Sequence, residues 1–199
     1  PLSHGVSLVL HSATKGIAGH NDAMLGVVAG EKELIDSIWG YSVMHGASPS
    51  PHDALNALRG LRTLGVRLQH QNTSALTIAR SLESHPRVVS VQHPFLESHA
   101  QHELARRQMR FGGTVFAVEL DGDFSTCESF VSKLRIAHIA TSFGGPETLV
   151  CHPATSTHVG LEQSELESLG VTAGLLRFSI GLEDADDLVD DIHQALSGL

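Results

Sequence analysis

Several residue types are scarce in this sequence, and each scarcity argues against a class of protein. Only two of the 199 residues are cysteines, Cys127 and Cys151, which is too few for a disulfide framework and favours a reducing compartment. No apolar run approaches the roughly 20 residues that a membrane span requires. Basic residues number 13 against 22 acidic ones, and the net charge of −9 disfavours nucleic-acid and anionic-membrane partners. We therefore expect a cytoplasmic protein that binds neither nucleic acid nor membrane.

The rest of the composition is typical of a folded globular protein. Hydrophobic residues make up 41% of the chain and charged residues 18%, and 199 residues suffice for a sizeable core. Histidine is abundant, with 14 copies. Neither of the histidine-containing clusters, at residues 93–102 and 151–158, has the four tightly spaced ligands of a structural zinc site. We therefore predict no metal site.

Lysine is the rarest charged residue, and one of the three lysines has an unusual position. The others are Lys32 and Lys133, whereas Lys15 closely follows the apolar run Val6–Leu10. An amine just beyond a buried strand is partly removed from water, which disfavours the ammonium form. The resulting free amine can condense with a carbonyl. Lys15 is therefore the first candidate for a reactive residue.

Two hydroxyl side chains accompany this amine. Ser12 and Thr14 lie two residues apart, so both could point to one side of an extended segment and donate to an anion. An aldehyde that carries a phosphate, such as pyridoxal phosphate, needs an amine and anion donors together. On the residues alone, a surface lysine after a strand stays an open alternative.

The first part of the chain has the pattern of the tail of an α/β domain. Residues 6–10 form an apolar run typical of an interior strand of a parallel sheet, a second apolar run covers 24–29, and a short helix is expected over 31–39. Apolar residues then recur with helical spacing over 55–82, which predicts a long helix that Pro86 ends, with Gly60 and Gly65 as candidate bends.

The remaining residues alternate between strand and helix patterns. Four strands are predicted, at 88–92, 113–120, 138–142 and 175–181. Three amphipathic helices are predicted, at 101–109, 127–134 and 188–196. Such segments favour a small, mostly antiparallel sheet covered by helices on one face.

Several motifs in the chain match those of a known family. The segment His11–Asp22 closely resembles the cofactor-lysine signature of the Cys/Met-metabolism family of PLP-dependent enzymes. The resemblance continues, in family order, through residues 45–47, 59–64, 111–113, 142–145, 151–155 and 176–184. Because these motifs span nearly the whole chain, the match is specific.

The resemblance implies both a fold and an activity. The fold would be the α/β PLP-dependent transferase fold (type I), of which this chain holds the end of the large cofactor domain and a C-terminal α+β domain. The activity would be trans-sulfuration in cysteine and methionine metabolism, by γ-replacement or γ-elimination on homoserine-ester or cystathionine-type substrates, as in cystathionine gamma-synthase or gamma-lyase. Methionine gamma-lyase and O-acyl-homoserine sulfhydrylase stay open as alternatives. The alternative from another class is a truncated, catalytically incomplete dimerising domain.

The resemblance also assigns roles to residues. Lys15 would be the catalytic lysine that holds the cofactor, and Ser12 and Thr14 would bind the cofactor phosphate. Arg177 would bind the substrate carboxylate, with Ser142 beside it, although strand alternation alone places Arg177 on a solvent face. The sequence departs from the family at Gly16, where an aromatic residue is usual, which puts the shape of the pocket in doubt.

Domain organisation and partners follow from the same resemblance. We expect residues 1–47 to end the large cofactor domain, 48–86 to form the linking helix and 87–199 to form the small domain. Family members assemble as dimers of dimers and act on amino acids, so a homo-oligomer with an amino-acid substrate is expected. The chain is interpreted as the C-terminal half of a longer enzyme, whose N-terminal half is needed for a full site. A split protein is the less favoured interpretation.

Overall fold

The computed structural model describes residues 1–199 and separates into two units, residues 1–65 and 66–199. The first unit contains a two-stranded ribbon and two helices, and the second contains a five-stranded sheet with its covering helices. The division into a cofactor domain, a linking helix and a small domain stays a prediction for the family fold. No helix has the length and apolar content that crossing a membrane requires.

The first unit is organised around an antiparallel ribbon. Strand β1 (Leu8–Ser12) pairs with β2 (Gly26–Gly30), with Leu8 opposite Gly30 and Ser12 opposite Gly26. We predicted an interior strand of a parallel sheet at residues 6–10, but β1 begins two residues later and its partner within the chain is antiparallel. The difference arises because the parallel prediction rested on apolar content alone, which does not specify strand direction.

Two helices complete the first unit, and its buried core is small. Helix α1 (Lys32–His45) has no buried residue, whereas α2 (Pro51–Leu61) buries Ala57 and Gly60. The core consists of Ala18, Ala23 and Ala57, with Leu25 packed against them. The following apolar side chains of this unit are largely exposed: Leu10, Met24, Trp39, Tyr41 and Met44.

The region predicted as one long helix forms two helices. Helix α2 ends at Leu61 and α3 covers Leu64–Leu82. Thr63 explains the break, because both its amide (3.1 Å) and its hydroxyl (3.2 Å) donate to the carbonyl oxygen of Gly60. These bonds to the third preceding residue tighten the last turn and take the Gly60 carbonyl that the next α-helical amide would use. The region therefore contains two helices rather than an unbroken one, with the break between the two candidate bends, and the assignment of 48–86 as a linking segment stays a prediction.

The second unit has the sheet that the pattern predicts. Its strands are β3 (Val88–Gln92), β4 (Val115–Leu120), β5 (His138–Ile139), β6 (Leu149–Cys151) and β7 (Leu175–Ser179), in the order β3-β4-β7-β6-β5. All pairs are antiparallel except β5 with β6. The helices are α3, α4 (His102–Gln108), α5 (Phe124–Lys133), α6 (Gln163–Ser168) and α7 (Ala185–Ser197). The predicted mostly antiparallel sheet is confirmed.

The core of this unit lies on one face of the sheet. Leu176 and Phe178 of β7 are buried with side chains of α3, α5 and α7 in a single cluster. Arg177 and Ser179 alternate with them and therefore project from the opposite face of the strand. Helices thus cover one face, as predicted, and the other carries the candidate polar residues.

A buried carboxylate fixes the approach to β5. Asp191 of α7 is only 5% exposed and accepts hydrogen bonds from the backbone amides of Arg135 (2.9 and 3.1 Å) and Ile136 (2.9 Å). These charge-assisted bonds satisfy amides that no strand partner reaches. The segment that leads into β5 is therefore anchored to the core helix.

Candidate active site

The candidate lysine lies in a tight turn between the two strands of the first unit. The turn, Ala13–Ile17, is a single π-helical turn that begins directly after β1. Lys15 has φ −84° and ψ −132°, which departs from helical geometry in the middle of the turn. Ala13 and Ala18 on either side are buried, and Lys15 itself is half-buried. The lysine is therefore held on a fixed backbone and is partly withdrawn from water.

The two predicted phosphate-binding hydroxyls have different surroundings. Thr14 is tied to Leu25, whose amide donates to Thr14 Oγ1 at 2.9 Å, while Thr14 Oγ1 lies 3.3 Å from the Leu25 carbonyl oxygen. Ser12 is exposed and its side chain makes no capping hydrogen bond. The Leu25 amide fixes the position of the Thr14 oxygen. A bound anion would therefore replace the longer contact, in which the Thr14 hydroxyl donates to the Leu25 carbonyl oxygen. Ser12 has a hydroxyl available for the same anion.

Helix α2 contacts the segment that follows this turn, residues 18–24, at three points. Asn56 Nδ2 donates to the Asp22 carbonyl oxygen at 3.0 Å, and the Met24 amide donates to Asp53 Oδ1 at 3.2 Å. Hydrogen bonds from Ser50 and from the Met24 amide hold the pKa of the Asp53 carboxyl below its usual value. The third point is the contact between Gly60 and Ala18.

Gly60 allows α2 to approach the lysine turn closely. A Cβ atom on Gly60 would lie 2.0 Å from the carbonyl oxygen of Ala18 and 2.7 Å from its carbonyl carbon. Because these are backbone atoms, a side chain at this position would push the turn away from the helix. The glycine of the motif at residues 59–64 is thus explained by a contact with the lysine turn.

We expect the substitution Gly60→Ala to displace the lysine turn and to lower the free energy of unfolding by about 1–3 kcal/mol, the usual cost of overpacking. Urea unfolding and amide hydrogen exchange over residues 13–19 measure the two effects, and exchange should become faster. Gly40→Ala is the matched control, because Gly40 also lies inside a helix but has nothing within 4 Å of its Cβ position. That control should gain about 0.5–1 kcal/mol from helix propensity. A stabilised Gly60→Ala variant with unchanged exchange would contradict the contact.

The second group of candidate residues lies in the second unit, where Arg177 projects from β7. Its Nη2 donates to the carbonyl oxygens of Thr141 at 2.7 Å and Ser142 at 3.0 Å. Its Nε is buried and has no hydrogen-bond acceptor. The guanidinium also lies 5.8 Å from the ring centroid of Phe143. Arg177 is therefore fixed by the protein on one edge and keeps an unsatisfied donor.

These contacts explain why β5 is shorter than predicted. The strand prediction covered 138–142, but β5 ends at Ile139. Because the carbonyl groups of Thr141 and Ser142 accept from Arg177, they do not pair with a neighbouring strand. The sequence prediction failed here because a side chain from a distant strand takes the place of a ladder partner.

The segment after β5 is held by two further buried polar side chains. The Gly144 amide donates to Ser179 Oγ at 3.1 Å, and Gln71 Nε2 of α3 donates to the Gly145 carbonyl oxygen at 2.9 Å. Ser179 and Gln71 are each 1% exposed. Since a buried polar group is costly unless it is paired, these bonds define the position of residues 141–145 and thereby of the groups that hold Arg177.

A carboxylate after β7 extends this support. Glu183 accepts from the amide and the hydroxyl of Thr148, at 2.6 and 2.7 Å, and the same hydroxyl accepts from the Gly181 amide at 2.9 Å. Three side chains of the motif at 176–184 thus contact residues 141–148: Arg177, Ser179 and Glu183. Only Arg177 was singled out from the sequence. The two others were missed, although their place in the same motif was a signal.

Lys15 and the two hydroxyls thus lie together in the first unit, and Ser142 and Arg177 lie together in the second. No group of three or more His, Cys, Asp or Glu side chains in residues 1–199 is placed to hold a metal ion. Both cysteines are buried, so neither is accessible as a nucleophile. Burial also raises the pKa of the Cys127 thiol to about 11, which keeps it protonated at neutral pH. The candidate chemistry therefore belongs to an amine, hydroxyls and a guanidinium.

Comparison with known proteins identifies relatives of the whole chain. The chain is 43% identical over 198 residues to cystathionine gamma-synthase 1 of Nicotiana tabacum, which covers 100% of this chain and 37% of the relative. It is 41% identical to L-methionine gamma-lyase of Pseudomonas putida over 98% of this chain and 50% of the relative. The chain spans about half the length, or less, of these curated relatives.

Solved structures support the fold directly. A crystal structure of cystathionine gamma synthase from Xanthomonas oryzae pv. oryzae, in complex with aminoacrylate and cysteine, matches 99% of this chain and 51% of that chain, with a TM-score of 0.94 and 41% identity. The predicted fold class is thereby confirmed. A family model described as Cys/Met metabolism PLP-dependent enzyme matches residues 1–197, so the family resemblance and the expected cofactor class are confirmed as well. The chain belongs to the family of PLP-dependent enzymes of cysteine and methionine metabolism.

Proposed function

We propose that this chain supplies the cofactor lysine and the substrate-binding arginine of a pyridoxal phosphate-dependent trans-sulfuration enzyme. The observation that carries the proposal is Arg177, whose buried Nε has no acceptor while Nη2 is fixed by two backbone carbonyls. A buried unpaired donor costs about 1–3 kcal/mol, and a ligand carboxylate removes that cost. An amino-acid substrate provides such a carboxylate.

The residues of the lysine turn fit one end of the cofactor. Lys15 offers a half-buried amine for the aldehyde, and the fixed oxygen of Thr14 and the exposed hydroxyl of Ser12 lie on the same turn, where they can donate to a phosphate. These donors cover only part of a phosphate and none of a pyridine ring. We therefore propose that the complete site needs further residues, from another segment or another chain, and that the working protein is a homo-oligomer of the dimer-of-dimers type in the cytoplasm.

In this proposal each residue has a defined task. Pyridoxal phosphate, when bound, supplies an electron sink for the substrate Cα. Lys15 would move protons at the substrate Cα and Cβ from its fixed place on the turn. Arg177 binds the α-carboxylate and so fixes which substrate bond is aligned for cleavage. Ser142 lies beside Arg177, because its backbone carbonyl oxygen accepts a hydrogen bond from Arg177 Nη2.

Among family reactions we favour γ-replacement or γ-elimination on homoserine-ester or cystathionine-type substrates. The relatives named cystathionine gamma-synthase and L-methionine gamma-lyase are 43% and 41% identical, which leaves both types of reaction open. The family resemblance implies a glutamate at this position in cystathionine-handling members, and this chain has Thr141 there. Without that carboxylate, the distal ammonium group of cystathionine lacks one charged contact.

A substrate panel tests the proposal. Once the further residues that the site needs are present, the protein supplied with pyridoxal phosphate should release the γ-substituent from a homoserine ester, and cysteine, cystathionine and methionine should be compared as the other substrates. We expect the largest kcat/KM with the homoserine ester plus cysteine. Turnover of none of them, together with no change in the absorption of added cofactor, would instead support the non-catalytic dimerising domain.

A further inference from the structure

A basic pocket in the second unit has no role in the proposed chemistry. It has a volume of about 280 Å³ and lies along one face of α3, where Thr73, Thr77 and Arg80 follow one another at helical spacing. Arg106 and Arg110 line the other side. Its volume is just below the range of about 300–1,000 Å³ that is typical of small-molecule sites, so it suits a small ligand.

The charge of this pocket is opposite to that of the chain as a whole. The protein has a net charge of −9, yet three of its thirteen basic side chains line the pocket, and no acidic residue lines it. Arg80, Arg106 and Arg110 form no salt bridge with a carboxylate within 4 Å. Like charges brought together without a counter-charge repel one another, and a bound anion relieves that repulsion.

Aromatic rings hold two of the guanidiniums in place. The Cζ atom of Arg106 lies 4.8 Å from the ring centroid of Phe95, and that of Arg110 lies 5.3 Å from the centroid of Phe111. A guanidinium that contacts a ring through its face keeps its N–H groups available at the edge. Oxyanions accept such N–H groups in pairs.

The floor of the pocket is rigid. Asn72 donates to the Leu68 carbonyl oxygen at 2.6 Å and accepts from the Gly113 amide at 2.8 Å. His93 is fully buried and lies against Gly112, where a Cβ atom would come within 2.3 Å of the imidazole ring. Burial lowers the pKa of His93, so its neutral ring braces the floor without adding charge. The positions of Phe95 and Phe111 beside this floor are therefore set before any ligand binds.

We propose that this pocket is a binding site for a small phosphate-bearing anion, either free phosphate or a phosphate monoester of a small metabolite. Arg80, Arg106 and Arg110 would bind the oxyanion, and the hydroxyl of Thr77 would supply a neutral donor, whereas the Thr73 hydroxyl already donates to the Gln69 carbonyl oxygen at 2.9 Å. This site is separate in its residues from the lysine turn, and it does not depend on the proposed enzymatic activity.

Isothermal titration calorimetry with inorganic phosphate and with O-phosphoserine tests the proposal. We expect one saturable site per chain, with an affinity that falls at high ionic strength because the contacts are charge-assisted. The double substitution Arg106→Gln with Arg110→Gln should weaken binding about tenfold or more, and Arg80→Gln alone should weaken it less. Equal affinities for inorganic phosphate and O-phosphoserine would show that the pocket recognises the phosphate group alone. Tighter binding of O-phosphoserine would show that the ligand is a phosphate monoester.

Two controls make the test decisive. Arg135→Gln changes an exposed arginine outside the pocket and should leave the affinity unchanged. Ser12→Ala removes a hydroxyl from the lysine turn and should also leave it unchanged. The proposal is overturned if no saturable binding occurs, if Arg135→Gln weakens binding as much as the double substitution, or if only Ser12→Ala abolishes it. Urea unfolding of each variant verifies that these exposed substitutions leave the fold intact.

Discussion

The substitution Lys15→Ala is expected to abolish the visible absorption of the cofactor-bound protein and to reduce turnover by about 10²–10⁴-fold, the usual contribution of a positioned proton-transfer group. The reason is that Lys15 is the amine on the π-helical turn after β1, half-buried and placed between two buried alanines. Absorption spectra and steady-state kinetics of the purified variant, supplied with pyridoxal phosphate, measure both effects.

Lys32→Ala is the matched control for this prediction. The Lys32 side chain is 84% exposed and pairs with Asp36 on the surface of α1. Because an exposed pair of this kind contributes little to stability, its loss should leave both the spectrum and the turnover close to wild type. If the two lysine variants lost absorption to the same extent, a specific role for Lys15 would be untenable.

The second large effect is expected at Arg177. Replacement by lysine keeps the charge but removes the planar fork that donates to two carbonyl groups and leaves Nε for a ligand. Loss of hydrogen bonds to a charged group costs about 1.5–3 kcal/mol, which corresponds to a decrease of about 10–150-fold in kcat/KM for the amino-acid substrate. We expect most of this decrease in KM, since the contact binds the carboxylate in ground and transition states alike.

A comparison of substrates distinguishes carboxylate binding from a general loss of structure. For an amine analogue without the carboxylate, the wild type and Arg177→Lys should have equally low kcat/KM values. The control Arg135→Lys should have the wild-type kcat/KM for every substrate. An Arg177→Lys variant that retained wild-type KM for the amino acid would show that the carboxylate is bound elsewhere.

Helices and strands were predicted correctly where their own residues show a clear local pattern. Strand β3 has the predicted bounds, 88–92, because three of its five residues are the β-branched valine. Helix α7 was predicted from residue 188, yet it begins at Ala185, since the Asp184 side chain accepts from the amides of Asp186 and Asp187 and caps it. Strand β6 was missed because its three residues are too few to show a period.

The candidate site was predictable only in part. Lys15, Ser12 and Thr14 are neighbours in sequence, so their grouping followed from spacing and from the family signature. The support for Arg177 depends on contacts over long separations, such as Gln71 with Gly145, 74 residues apart. A single sequence contains no record of such pairs. For the same reason the contact of Gly60 with Ala18 could be found only in three dimensions.

The most direct test of the account is to locate the cofactor on the chain. Borohydride reduction of the protein supplied with pyridoxal phosphate fixes the bond between the amine and the aldehyde, and mass spectrometry of the peptides then identifies the modified lysine. The account predicts one adduct, on the peptide that contains Lys15, and none on the peptides of Lys32 or Lys133. An adduct confined to either of those two lysines, or distributed evenly over all three, would contradict it.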